Sequence, residues 1–373
     1  MANMTSAQRY RATYEMKPVD HLFRKEFYIW DEAITRWKTE GMPADADRAK
    51  LFGWDDWPIT GPGRLGWCEP LFVPGMQDVI LETTQEYEIL RDGAGRTVKV
   101  FKGKRHGFMP TYLKHAVECD KDWEQNIAPI LDHNTASRYD DNFWKDLASI
   151  KSEQAAGKWV WQQGVGGYMY LRALAGPEGI CYMVVDNPAL VHKMMQRWLD
   201  MAEAVTRRAQ EFGIEYDELF FGEDICYNHG LLISPDMVRE FIFPYYQQLL
   251  ANMRSRQNRR IYFQIDTDGN CDEALDLYLS IGMDAMSPFE VAAGNDALAI
   301  AKKYPNLMMY GCIDKRVLAT SKKEIDEYLT KLIPFMVKRG GFIPTCDHGV
   351  PDNVSYENYM YYRRRMMELD HET

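Results

Sequence analysis

The stretches Leu219-Phe220-Phe221-Gly222-Glu223-Asp224, Ile261-Tyr262-Phe263-Gln264-Ile265-Asp266-Thr267-Asp268-Gly269, Ala285-Met286-Ser287-Pro288-Phe289-Glu290, Met308-Met309-Tyr310-Gly311-Cys312-Ile313-Asp314 and Phe342-Ile343-Pro344-Thr345-Cys346-Asp347-His348 each pass from apolar residues into polar ones. Each apolar run is short enough for a buried strand. The stretches between them, at 235–254, 271–279 and 322–338, have the length and periodicity of amphipathic helices. Strands alternating with helices make parallel βα units, and in a closed barrel of such units the carboxyl ends of the strands meet at one mouth, where active sites are built. The expected fold is therefore α/β, a (β/α)8 TIM barrel whose polar strand endings converge.

Outward from this block, no linker or repeat divides the chain, which reads as a single barrel domain over 1–373, with an N-terminal elaboration over 1–150 and the main βα units over 151–373. A helix is expected at 6–14. A Trp-rich segment punctuated by Pro and Gly, through Trp54, Trp57 and Trp67, reads as a cap over the barrel. Strand formers at 79–90 and 96–101 flank Asp92-Gly93-Ala94-Gly95, a hairpin signal. The stretch 120–152 reads as helical. Trp159-Val160-Trp161-Gln162 reads as a strand whose Gln162 reaches the mouth as a substrate contact, and Asp186-Asn187-Pro188 as the start of a helix over 189–212. Gly164, Gly166 and Gly167 offer a weak anion-loop signal without the Lys-Ser/Thr pair of a phosphate loop.

The 373 residues carry 44 Lys plus Arg against 55 Asp plus Glu, a formal charge of -11, which disfavours nucleic acid and anionic membranes as partners. No apolar segment approaches the ~20 residues of a membrane span, and a cytoplasmic protein is expected. Seven cysteines without a close CxxC pair argue against a disulfide framework. A homodimer is compatible with these features.

The strand endings gather Glu223, Asp224, Asp266, Asp268, Cys346, Asp347 and His348. Such oxygen, sulfur and nitrogen donors suit a divalent metal, and zinc accepts thiolate, imidazole and carboxylate with one position open. Asp266 directly after an apolar run is poorly placed for a solvated loop. Asp268, before Gly269 and Asn270, suits either a site or a turn cap. His348 suits general acid/base work or a loop hydrogen bond. Tyr227 could reach the same mouth or pack. Arg172 and Arg64 are the cations that could hold an anionic substrate.

Thr5-Ser6-Ala7-Gln8-Arg9, Leu171-Arg172, Gly176-Pro177-Glu178, Gly222-Glu223-Asp224, Ile233-Ser234-Pro235, Asp266-Thr267-Asp268-Gly269-Asn270, Gly311-Cys312-Ile313-Asp314-Lys315 and Gly340-Gly341-Phe342-Ile343-Pro344 through Asp347-His348 resemble, in order and spacing, the uroporphyrinogen decarboxylase superfamily. The resemblance is to its corrinoid-dependent methyltransferase-like members, of the aromatic O-demethylase type. The decarboxylase's N-terminal Arg-Gln-Ala-Gly-Arg segment has no counterpart in 1–20. The resemblance implies a (β/α)8 barrel that moves a methyl group from a small methoxylated aromatic donor to the cobalamin of a separate corrinoid protein, with zinc assistance. The coenzyme M branch holds zinc with His-x-Cys and a later Cys. Here Asp266-x-Asp268 stands in place of the pair, and Cys346 matches the later Cys. The implied metal set is Glu223, Asp266 and Cys346. His348, Asp224 and Tyr227 are then expected in catalysis, and Gln162, Asp268 and Arg172 in substrate binding. The alternatives are a decarboxylase or lyase on a small carboxylate, and a non-catalytic binding member.

Overall fold

The computed structural model describes residues 3–103 and 110–371. Its main sheet has seven parallel strands, neighbours in space as in sequence: β1 (Ile59–Thr60), β2 (Trp159–Val165), β3 (Glu218–Gly222), β4 (Tyr262–Asp266), β5 (Ala285–Ser287), β6 (Met308–Ile313) and β7 (Phe342–Cys346). All five apolar runs became strands. The eighth stave is the extended segment 22–29. Beside β1, the Asp55 N–H donates to the Arg24 carbonyl (2.8 Å). On the other side the Cys346 N–H donates to Glu26 Oε2 (2.9 Å), and Ile29 bridges Val350 in parallel. The curled sheet is thereby closed into the expected TIM barrel.

Alternation along each strand sorts its side chains, because successive residues point to opposite faces. Ile59, Trp159, Tyr262, Ala285, Met308 and Ile343 face inward and form one buried cluster with Tyr10 and Tyr14. Their neighbours Val160, Leu219, Phe263, Met286, Met309 and Phe342 face outward and pack in the larger cluster that includes the helix residues. Because the inward set starts at the first residues of strands, the helix Ser6–Tyr14 closes the amino end of the barrel. A Thr5/Gln8 capping box starts that helix. The buried carboxylate of Glu218 accepts from the Tyr14 hydroxyl (2.9 Å) and from Trp159 Nε1 (2.7 Å), so the closed end is cross-linked by hydrogen bonds.

The expected hairpin is part of a four-stranded antiparallel sheet, Val79–Thr83, Tyr87–Arg91, Thr97–Phe101 and Thr111–Lys114. Asp92 makes its turn by accepting from the amides of Ala94 (3.0 Å) and Arg96 (2.9 Å). Two helical readings need correction. Within 120–152 only Asp141–Ala155 is a long helix, and the part before it breaks into short turns, Pro129 and Asp132 among them. The stretch 235–254 is two helices, Pro235–Phe241 and Phe243–Ser255, because Pro244 cannot donate to the preceding turn. No helix of the described residues is long and apolar enough to cross a membrane.

Trp159 stacks on Tyr262 (5.6 Å between ring centroids) and meets Tyr10 edge-on (5.4 Å) inside the closed end. Trp159→Ala is expected to lower unfolding stability by about 3–5 kcal/mol; urea denaturation followed by circular dichroism measures it. A loss below about 1 kcal/mol would show that this plug is not a principal packing centre.

Candidate functional site

At the carboxyl end of the barrel lies a cavity of about 560 Å³. Alternation decides what enters it. On β2 the inward residues after Trp159 are Trp161 and Gln163; on β3, Phe220 and Gly222, followed by Asp224; on β4, Gln264 and Asp266, followed by Asp268. All of these line the cavity. Tyr310 of β6, Phe27 and Tyr28 of the closing stave, and His348 beyond β7 complete much of the wall. The Trp-rich segment contributes Trp57 and Trp67. Trp67 lies parallel to Phe220 (5.5 Å, 8°), against Gly222, where an added Cβ would come within 3.1 Å of its ring.

Asp266 sits at the base of the polar wall. It accepts a short hydrogen bond from the Ser287 hydroxyl, its cross-strand partner on β5. Burial, then the nearby charges of Asp268 and Asp224, raise its carboxyl to about 7. Asp224 occupies the left-handed region (φ 42°), which turns the chain at the end of β3. Its Oδ2 lies 3.5 Å from Arg172 Nη1, and burial raises its pKa. Asp268 Oδ2 is 3.5 Å from His348 Nε2, and the hydrogen bond to Asp268 raises the imidazole pKa. The Tyr28 hydroxyl lies 2.8 Å from His348 Nδ1. Asp224, Asp266, Asp268 and His348 thus share one cavity, with Arg172 paired to it from the side.

Four expected residues lie elsewhere. Gln162 has the outward parity of Val160, donates to the Gly63 carbonyl (2.9 Å) and accepts from Tyr216 (3.2 Å); its neighbour Gln163 is the mouth residue. Tyr227 is on a short hairpin, 46% exposed, and meets His229 edge-on, outside the cavity lining. Glu223 has the outward parity of Leu219 and Phe221. It is fully buried among helices, accepting from Tyr278 (2.8 Å) and from the Tyr246 hydroxyl. Burial raises its carboxyl to about 7, against the lowering effect of those tyrosines. Cys346 has the outward parity of Phe342; its thiol is buried, and burial raises its pKa well above the ordinary thiol value.

Glu223 also accounts for the glycine turn. Its Oε1 accepts from the Tyr168 amide (3.4 Å), and a Cβ on Gly166 would come within 1.8 Å of its Oε2. The anion at the start of the helix Gly167–Ala175 is therefore the protein's own carboxylate. The proposed metal trio is consequently split: Asp266 faces the cavity, while Glu223 and Cys346 face the helices. Among the described residues no three His, Cys, Asp or Glu side chains are grouped to hold a metal ion. As arranged, the donors do not fit zinc.

Residues 167–369, more than half of the chain, match the family model described as Uroporphyrinogen decarboxylase (URO-D), and the chain belongs to that family. Among curated proteins it is similar to the uroporphyrinogen decarboxylase of Hydrogenobaculum sp. (strain Y04AAS1), 22% identical over 144 residues, which are 38% of this chain and 40% of that protein. Among solved structures it is similar to a methyltransferase from Methanosarcina mazei, with a TM-score of 0.57 and 13% identity over 98% of this chain and 99% of that one. The structural likeness establishes the shared fold.

Elemental analysis of protein purified without chelator is expected to find zinc well below one equivalent, unchanged in Cys346→Ser. Stoichiometric zinc that disappears in that variant would mean that β7 turns its thiol into the cavity when metal is bound.

Proposed function

We propose that the protein is a methyltransferase that takes a methyl group from a small methoxylated aromatic compound and delivers it to a corrinoid protein. The observation that carries this reading is an aromatic-walled cavity with a carboxyl group, Asp266, on its polar side, held by Ser287 and not paired with a cation among the described residues. A cavity of about 560 Å³ is in the size range of small-molecule sites. Family membership and the methyltransferase-like fold support the reaction class. The partner's corrinoid cobalt would supply the nucleophile toward the methyl carbon.

Within the chain, Trp67, Phe220 and Trp161 offer faces against which an aryl ring stacks. Ser287 holds one oxygen of Asp266, and among the described residues no hydrogen bond occupies the other, which faces the ligand in this reading. As the methyl–oxygen bond breaks, its electron pair stays on the aryl oxygen, and Asp266 gives that oxygen its proton, so the product leaves as a phenol. Asp224 and Asp268 favour the protonated form of Asp266, while their pairing with Arg172 and His348 limits the charge left at the mouth. Zinc has no role in this reading. Protonation by Asp266 replaces the Lewis acid.

Methyl transfer from a panel of methoxyarenes to reduced cobalamin, followed by the cobalamin spectrum, tests this. Transfer is expected to fall as pH rises through about 7, because the proton-donating form of Asp266 is lost there. Asp266→Asn is expected to be slower by about 10²–10⁴-fold, with that limb of the pH profile removed. Wild-type rates in Asp266→Asn, or no transfer from any donor in the panel, would sink the proposal.

A further inference from the structure

We infer that Glu218 is a positioning residue for Asp266: four hydrogen bonds in series, through Tyr14, Gln264 and Ser287, let the closed end of the barrel set how Asp266 is held. The catalytic consequence rests on the methyl-transfer reading, whereas the coupling of the two acids stands on the chain of hydrogen bonds alone.

The Tyr14 hydroxyl lies 2.9 Å from Glu218 Oε1 and makes a short hydrogen bond with Gln264 Oε1. Gln264 Nε2 donates to the Ser287 hydroxyl oxygen (2.9 Å), and that hydroxyl donates to Asp266 Oδ2. Tyr14, Glu218, Gln264 and Ser287 are all buried, and in such surroundings each polar group depends on its neighbours in the chain.

Counting protons gives the chain a direction. The Tyr14 hydroxyl has one proton and two neighbouring acceptors, Glu218 Oε1 and Gln264 Oε1. Both are satisfied only when Glu218 is protonated: the acid then donates to Tyr14, Tyr14 to Gln264, Gln264 to Ser287, and Ser287 to Asp266. Trp159 Nε1 already occupies Glu218 Oε2 (2.7 Å), which leaves Oε1 as the place for that proton. Ionised Glu218 claims the Tyr14 proton instead. Gln264 must then turn its amide over to donate to Tyr14, the Ser287 hydroxyl turns to the amide oxygen, and Asp266 loses its donor. What passes along the chain is orientation, and the amide keeps both its hydrogens.

The surroundings of Glu218 keep it protonated up to near neutrality. Burial raises its carboxyl to about 7 against the lowering effect of Trp159 and Tyr14, and Asp217 and Asp284 add to the rise. Both of these acids face arginines, Asp217 with Arg11 (2.7 Å) and Arg259 (3.4 Å), Asp284 with Arg260 (2.6 Å). The phenols around it, Tyr10 and Tyr14 of the first helix, Tyr262 of β4 and Tyr310 of β6, are all raised by burial and stay neutral. The bland alternative is a polar plug whose hydrogen bonds only hold the first helix in place.

Infrared titration of the full chain, differenced against Asp266→Asn, reads the Asp266 carboxyl directly. Glu218→Gln keeps the shape and holds the chain in its donating direction, because Trp159 claims the new amide's oxygen and leaves its nitrogen to donate to Tyr14. Asp266 is then expected to ionise at lower pH, with an acid dissociation constant at least about threefold larger than in the wild type. In a Tyr14→Phe background, where the chain is cut, the same substitution is expected to leave Asp266 unchanged. An unaltered Asp266 titration in Glu218→Gln overturns the inference. So does a shift of equal size in the cut background, since the lost charge then acts through space. Circular dichroism checks folding, and Gln264→Met cuts the chain at a second point should Tyr14→Phe not fold. In methyl transfer, the fall in rate with rising pH is expected to begin at lower pH in Glu218→Gln. If the infrared coupling holds and no methoxyarene is demethylated, the methyl-transfer reading falls and the coupling remains.

Discussion

The two-residue repeat of the extended chain governs this molecule. In a barrel whose strands are covered on both faces, every residue must point either to the interior or to the helices, and its neighbour must point the other way. Leu219, Phe221 and Glu223 follow one parity on β3 and its extension; Phe220, Gly222 and Asp224 follow the other. Exchanging the two sets would move Phe220 and Asp224 into the packing layer and bring Phe221 and Glu223 into the cavity. The site is thus specified by register as much as by residue type.

The parity also has a cost, visible at Glu223. An acid whose position sends it among the helices must be desolvated, and burial without partners is strongly unfavourable. The surrounding structure compensates through two tyrosine hydroxyls, a backbone amide and the start of a helix. Gly166 leaves the space that this carboxylate needs. A feature that looks like catalytic equipment in one dimension is instead a polar joint between β2, β3 and the helices Phe243–Ser255 and Asp272–Leu279.

Much of the barrel was legible because its strands are near-continuous apolar runs that end sharply. The five runs needed no tertiary information to be recognised. The eighth stave was not legible. Residues 22–29 have neither an apolar run nor a regular ladder, and their place follows from contacts with Asp55, Cys346 and Val350. At the site, Asp224, Asp266, Asp268 and His348 were recognisable as strand endings. Gln162, Glu223 and Cys346 were misplaced because chemistry was read without parity; counting by twos from Trp159, Phe220 and Ile343 would have sent each outward. Lys25, Tyr28 and Trp67 belong to the site through chain folding far from the βα units, and no local pattern marks them.

The closing stave joins the two ends of the sequence: the Cys346 amide meets Glu26 across 320 positions of chain. Closing so long a loop is entropically costly, and contacts at such separation form slowly. Lys25, Phe27 and Tyr28 are made first during synthesis, yet they can wall a cavity only after β7 has arrived to stand beside them. A chain lacking its last forty or so residues could keep many of its helices and strands and still enclose nothing. Ligand binding in this protein is therefore a property of the finished circle, and whatever the cavity holds will favour the state in which beginning and end are joined.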